Sequence, residues 1–150
     1  MAFVFRFQQI LQICIHEEDE VKGRLARKDG QIAEVNAKIQ KYKDEYDQAL
    51  EQKIVDLSNG DMQKVQMYPA YLARLQQSWE YEEEERERLE IQRQKILAEL
   101  MEKRRNRMTY EKILEKDAAN YKKEQLKREQ KRLDEFGNRQ KLTSGGFEDA

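Results

Sequence analysis

Steps of four and three residues from Phe7 land on Leu11, Cys14, Glu18, Val21, Leu25, Lys28, Ile32, Val35, Ile39, Tyr42, Tyr46 and Ala49. Eleven of these thirteen positions, Phe7 included, are apolar. A strand would alternate every second residue, and no such alternation appears. A seven-residue repeat held over about six heptads predicts a helix that pairs with another in a left-handed supercoil. Glu18 and Lys28 are charged where the repeat asks for apolar groups. Gly23 and Gly30 should each weaken the helix by about 1 kcal/mol relative to Ala. After Ala49 the stripe is expected to shift to Leu50, Ile54 and Leu57, a stutter-like offset.

The run then meets Ser58-Asn59-Gly60-Asp61. Gly and Asn tolerate the left-handed conformation that ends helices, and Asp61 is a good cap for a new one. A short helical piece is expected over Met62 to Met67, and Pro69 suits the first turn of the next helix, where its missing N–H costs nothing. A second stripe runs through Tyr68, Leu72, Leu75 and Trp79, and weakens across Glu82-Glu83-Glu84-Glu85. It returns at Leu89, Ile96 and Leu100 and continues raggedly through Met108, Tyr110, Leu114, Ala118, Tyr121, Leu126, Leu133 and Phe136.

The expected fold is therefore all-α: a long antiparallel two-helix coiled-coil hairpin with a short helical linker. Helix 1 should span about 4–57, the linker 58–69 and helix 2 about 70–136, together a coiled-coil domain over 1–142. Residues 143–150, Thr-Ser-Gly-Gly-Phe-Glu-Asp-Ala, read as a disordered tail. A short connection favours antiparallel neighbours. With Leu57 opposite Ala70, partner numbers sum to about 127. The acids Glu82 to Glu87 then face Lys38, Lys41 and Lys43, and Glu17 to Glu20 fall near Arg104, Arg105 and Arg107. Exposed ion pairs contribute only about 0–1 kcal/mol each, so they fix alignment more than stability. Helix 2 should overhang the start of the chain by roughly ten residues, or about 15 Å.

Composition fits this reading. Of 150 residues, 39% are charged, with one Pro and six Gly, the profile of a long helix and not of a compact globule. The net charge of -1 argues against a chain that binds polyanions as a whole. The single cysteine, Cys14, rules out an internal disulfide framework and fits a reducing cytosol.

The opening MAFVFRFQQILQICIHEEDE is far more apolar than the rest. Arg6, Gln8, Gln9 and Gln12 interrupt it, and no small-residue cleavage site follows, so it does not read as a signal peptide. No window approaches the roughly 20 apolar residues of a membrane span. Read as the first turns of a soluble helix, it carries more apolar residues than one seam needs. Phe3, Phe5, Ile10, Ile13 and Ile15 cannot all share a face with Phe7, Leu11 and Cys14. Large apolar patches are rarely left wet. The terminal end is therefore expected to insert into a partner, joined by the overhanging Leu126, Leu133 and Phe136. Dimerisation through this end, or simple fraying, would also account for it.

Catalytic chemistry is not expected. His16 is the only histidine and points to a different side of a helix from Cys14. HEEDE is not H-E-x-x-H, and no phosphate-binding Gly-rich loop occurs. No metal and no cofactor is expected. From Lys103 to Arg132 there are twelve Lys/Arg against five Asp/Glu. The acids are interleaved as on an ordinary salt-bridged helix, and Tyr110 and Tyr121 follow the seam, so nucleic acid is not expected as a partner.

Phe3, Phe5, Gln8, Ile10 and Leu11, as F-x-F-x-x-Q-x-I-L, resemble the start of the FliJ family of flagellar export proteins. Arg132-Leu133-Asp134-Glu135-Phe136 resembles that family's C-terminal L/M-D-E-F element. The length and the hairpin extend the resemblance over nearly the whole chain. The family is similar to the central stalk of rotary ATP synthases. The resemblance implies a non-enzymatic component of the flagellar type III export apparatus, cytoplasmic and peripheral to the inner membrane at the flagellar base. Its terminal end would enter the hexameric export ATPase and promote assembly and activity, through Phe3, Phe5, Ile10, Ile13, Leu126, Leu133 and Phe136. A docking surface for the membrane export gate would fall on Tyr71, Leu75, Ser78 and Glu82. Ser78 is small and polar and Glu82 acidic, both departures from a more apolar family face. Packing alone would also explain Tyr71 and Leu75. A general chaperone role, with export chaperones as further partners, is implied as well. Two other readings stay open, an injectisome stalk protein and a generic scaffolding coiled coil.

Overall fold

The computed structural model describes the backbone over residues 2–148 and side chains over 2–142. The element order is α1 (Gln8–Ser58), α2 (Met62–Val65) and α3 (Tyr68–Glu148). The fold is an all-α helical hairpin, with no strand among the described residues. The chain divides into two compact units, one of Met1–His16 with Lys103–Ala150, the other Glu17–Glu102.

Element ends differ from expectation in two places. α1 starts at Gln8 and not near residue 4. Gln8 N–H donates to the Phe5 carbonyl at 3.2 Å, and Leu11 N–H to Phe7 at 2.9 Å, so the residues before Phe7 form a non-helical lead-in. α3 runs well past Phe136, straight through Gly137. An isolated Gly weakens a helix but ends it only by turning left-handed, and Gly60 alone among the described residues has positive φ. The segment 143–150 lies outside the residues described with their side chains.

The heptad reading of α1 holds residue by residue, for none of its thirteen positions is exposed. Both flaws are accommodated. Glu18 is only 2% exposed and lies 3.5 Å from Lys22 Nζ, one turn on. Lys28 Nζ donates to Gln92 Oε1 at 2.8 Å. The stutter does not occur. The seam continues past Ala49 through Lys53 to buried Asp56, while Leu50, Ile54 and Leu57 face outward. A helix wound on its partner keeps a seven-residue stripe facing it, and Asp56 keeps its place there because it finds partners.

Those partners sit at the turn. Gly60 has φ 74°. Gly60 N–H donates to Leu57 O and Asp61 N–H to Asp56 O, both at 3.1 Å, the paired bonds of a Schellman motif. Asp61 then caps α2, its carboxylate accepting from Lys64 N–H at 3.4 Å. Val65 ends that short helix, and α3 begins at Tyr68, so Pro69 falls in its first turn as expected. Tyr68 Oη donates to Asp56 Oδ2 at 2.5 Å, and Gln52 Nε2 to Asp56 Oδ1 at 3.2 Å. The Tyr68 hydroxyl holds the Asp56 carboxyl below its ordinary 3.8. The carboxylate in turn pushes the phenol up from 10.0 to about 12.

The sign follows from linkage. Asp56 has its folded value lowered, so its contribution is present above pH 3.8 and lost as pH falls through the folded value. Tyr68 has its folded value raised, so its contribution is present below pH 10.0 and lost as pH rises through about 12. Urea unfolding of the wild type and Tyr68→Phe should differ most between those limits, and the difference should shrink at both ends. A difference independent of pH would contradict the clasp.

Within Glu17–Glu102 the helices run antiparallel. Val35, Ile39 and Leu89 form a buried cluster with Ile32 and Trp79 packed against it. The Tyr46 and Trp79 rings meet edge to face at 5.1 Å. Polar pairs flank this seam. Arg24 grips Glu99 with two bonds of 3.1 and 2.6 Å, Arg93 reaches Asp29 at 2.6 Å, and Lys43 lies 3.5 Å from Glu83. The last pair joins a lysine to the acidic run that was expected to face it. The register is lower than the expected sum of 127. Lys43 with Glu83 and Tyr46 with Trp79 sum to 126 and 125, close to it, while Arg24 with Glu99 and Asp29 with Arg93 sum to 123 and 122.

Gly23 and Gly30 serve no packing purpose, since a Cβ on either meets nothing within 4 Å. Gly23→Ala and Gly30→Ala should each stabilise the chain by about 0.5–1 kcal/mol in urea unfolding.

Candidate functional site

The unit formed by Met1–His16 and Lys103–Ala150 holds most of the residues singled out in the sequence. Its non-helical lead-in lies along α3 by a chain of ring contacts. Phe3 packs on Tyr121 with centroids 5.3 Å apart. Phe5 meets Phe7 at 5.9 Å, and Phe7 meets Tyr110 at 5.9 Å. Aromatic pairs of this kind add about 0.5–1.5 kcal/mol beyond their burial. Arg6 ties the strip down. Its guanidinium lies 4.7 Å from the Phe7 ring centroid, and its Nε is 3.3 Å from Asp117 Oδ2.

This changes the inventory of exposed apolar groups. Phe5 is 6% exposed and Phe3 half-buried. Neither is surplus surface on a helix, because the lead-in leaves the helical path, with Phe3 packed on Tyr121 of α3 and Phe5 buried against Phe7. The surplus consists of Val4, Ile10, Ile13 and Ile15, all exposed. Ile10 and Ile13 are three apart and share a face of α1.

On α3, every residue from Lys122 to Leu142 is exposed apart from Gly137. The bare stretch is about twice the expected overhang, since α3 continues beyond Phe136. Leu126, Leu133 and Phe136 stand about 60% in water. An 81-residue helix with an unpaired, partly apolar end is poorly stabilised by propensity alone. Two apolar rows of this unit are thus exposed, Ile10–Ile13 on α1 and Leu126–Leu133–Phe136 on the bare stretch of α3, while Phe5 is withdrawn from the surface.

The second expected surface, at the start of α3, divides three ways. Leu75 is 6% exposed and belongs to the seam. Tyr71, 43% exposed, lines a pocket of about 170 Å³ with Lys64, Met67 and Tyr68. Ser78 and Glu82 border a separate groove with Tyr42, Arg74, Gln77 and Tyr81. Ser78 Oγ donates to the Arg74 carbonyl one turn back, at 2.9 Å. The four residues therefore do not form one accessible face, because seam packing takes Leu75.

Sequence reasoning missed Arg6 and the Asp56–Tyr68 clasp. Asp56 left a trace, since continuing the steps from Ala49 through Lys53 lands on it. Among the described residues no group of three or more His, Cys, Asp or Glu could hold a metal ion. Among the described residues no helix is long and apolar enough to cross a membrane.

The family model described as Flagellar FliJ protein matches residues 3–146. The chain belongs to the FliJ family. No curated protein and no solved structure gives a match. FliJ membership makes the chain a component of flagellar type III export. The match covers the aromatic lead-in from Phe3, both long helices and the bare end of α3. It favours the flagellar system over the injectisome and scaffold readings.

Proposed function

We propose that this FliJ-family chain is a non-enzymatic, stalk-like subunit that docks its terminal unit into the hexameric export ATPase. There it promotes assembly of the ring and so its hydrolysis. The observation that carries this reading is the pair of uncovered apolar rows, Ile10–Ile13 and Leu126–Leu133–Phe136. Burying a side chain of this size contributes about 1.5–3 kcal/mol, enough in sum for a specific interface. Phe3 and Phe5 support the site from within, by fixing the lead-in on α3. The chain works in the cytoplasm at the flagellar base, beside the inner membrane. The exposed Tyr71 pocket and the Ser78–Glu82 groove offer a separate contact for the membrane export gate, with Leu75 packed beneath.

Purified chain added to the purified ATPase should raise hydrolysis. The increase should be greatest at ATPase concentrations where the ring is only partly assembled. An unchanged rate across that range would overturn the proposal.

A further inference from the structure

The end of α1 carries two stripes that compete for one place. Steps of three, four and three from Tyr46 reach Ala49, Lys53 and Asp56, and these follow the seam. Steps of four, four and three from the same residue reach Leu50, Ile54 and Leu57, which face outward at 37%, 65% and 48% exposure. The two stripes lie about 100° apart around the helix, the rotation of a single residue. Hydropathy would order them the other way. The inner stripe holds one apolar residue and a buried carboxylate, while the outer one is all leucine and isoleucine. Leaving those side chains wet while a charged group goes inside costs free energy. Something other than burial therefore fixes the rotation of α1 here.

Asp56 supplies it. The residue is 4% exposed, and its carboxylate accepts from Tyr68 Oη at 2.5 Å and from Gln52 Nε2 at 3.2 Å. Between the Lys43–Glu83 ion pair and the turn, the Tyr68 bond is the one polar side-chain contact that joins α1 to α3 among the described residues. A single buried polar contact can set the register of a coiled coil at a cost in stability. Two successive steps of four are a stutter, which a coiled coil absorbs by unwinding locally. The second stripe is thus within reach of the same helix.

We propose that the Tyr68–Asp56 bond is a register latch, holding the end of α1 in one of two registers open to it. In the other, α1 turns by one residue beyond Tyr46. Leu50, Ile54 and Leu57 then pack toward the α3 seam residues Leu72 and Leu75, and Lys53 and Asp56 meet water. The two registers present different surfaces, an outward apolar row in one and charged groups in the other. Tyr68 also lines the pocket of about 170 Å³ with Lys64, Met67 and Tyr71, so a group that enters there and turns the phenol away opens the latch. Neither the ATPase contact nor the gate contact is needed for this device.

The test is thiol reactivity in full-length chains whose one native cysteine, Cys14, is replaced by Ala. Ala49→Cys reports the inner stripe, where the alanine is 7% exposed, and Ile54→Cys reports the outer one. With Tyr68 in place, a soluble disulfide reagent should modify position 54 quickly and position 49 slowly. Tyr68→Phe should raise the rate at 49 about tenfold, the change in an equilibrium from losing one hydrogen bond to a charged group, and lower the rate at 54. Adding Asp56→Leu should restore the original order of rates, because an apolar side chain keeps the inner stripe in the seam without the hydroxyl. Rates that Tyr68→Phe leaves unchanged overturn the proposal. A rise at both positions overturns it too, since that is fraying and not rotation, as does a pattern that Asp56→Leu fails to restore.

Discussion

Leu89→Ala should cost the Glu17–Glu102 unit about 2–4 kcal/mol, the range for removing a buried leucine where the surroundings only partly collapse. Leu89 packs with Val35 and Ile39, and Ile32 and Trp79 lie against that cluster. A two-helix seam is thin. Few other side chains can move in to fill the space, which puts the expected loss toward the upper part of the range. Trp79 is the only tryptophan, so its fluorescence reports this unit during urea unfolding. Ile91 gives the control. It is two residues away and 54% exposed, and Ile91→Ala should change stability by less than about 0.5 kcal/mol. Equal effects at the two positions would contradict the observed seam.

The second large effect concerns the bare end of α3. A chain ending at Lys123 loses Leu126, Leu133 and Phe136 but keeps Tyr121, the last residue of α3 with a ring contact to the lead-in. Its urea midpoint should stay close to that of the full chain, because the removed side chains are exposed. Stimulation of the ATPase should fall to the basal rate. Phe5→Ala should behave in the opposite order. Phe5 is buried, so the substitution costs stability of about 3 kcal/mol or more and loosens the lead-in. Its effect on the ATPase should then follow that loosening. Full stimulation by the shortened chain would remove Leu126, Leu133 and Phe136 from the docking surface.

The parts of this fold that were legible in the sequence are those set by burial alone. From Phe7 to Ala49 each step of four or three marks a position that is buried or half-buried, because a paired helix buries one stripe over its whole length. The turn was legible for a different reason. Gly60 and Asp61 are residues whose local chemistry favours a helix end and a new cap.

What failed depended on groups from elsewhere in the chain. Judged by hydropathy, Leu50, Ile54 and Leu57 suit a seam better than Asp56. Asp56 is buried because the Tyr68 hydroxyl, twelve residues on, reaches its carboxylate. The register is close to the expected one at Lys43–Glu83 but drifts by a few residues toward Arg24–Glu99, because exposed charge pairs constrain it weakly. The lead-in was hidden as well. No Pro, Gly, Ser, Thr, Asn or Asp precedes Gln8, so nothing local announces that the helix starts there. The candidate site was therefore half legible. Ile10, Ile13, Leu126, Leu133 and Phe136 are exposed as the pattern implied, while Phe5 and Leu75 are held inside by packing.

The central claim is that the uncovered apolar rows of the terminal unit are the surface that meets the export ATPase. Photo-crosslinking tests it at single positions. A photoreactive residue at Ile13 or Leu133 should capture the ATPase when the ring is assembled, and one at the equally exposed Ile91 should not. Capture from Ile91 with none from Ile13 or Leu133 would contradict the account.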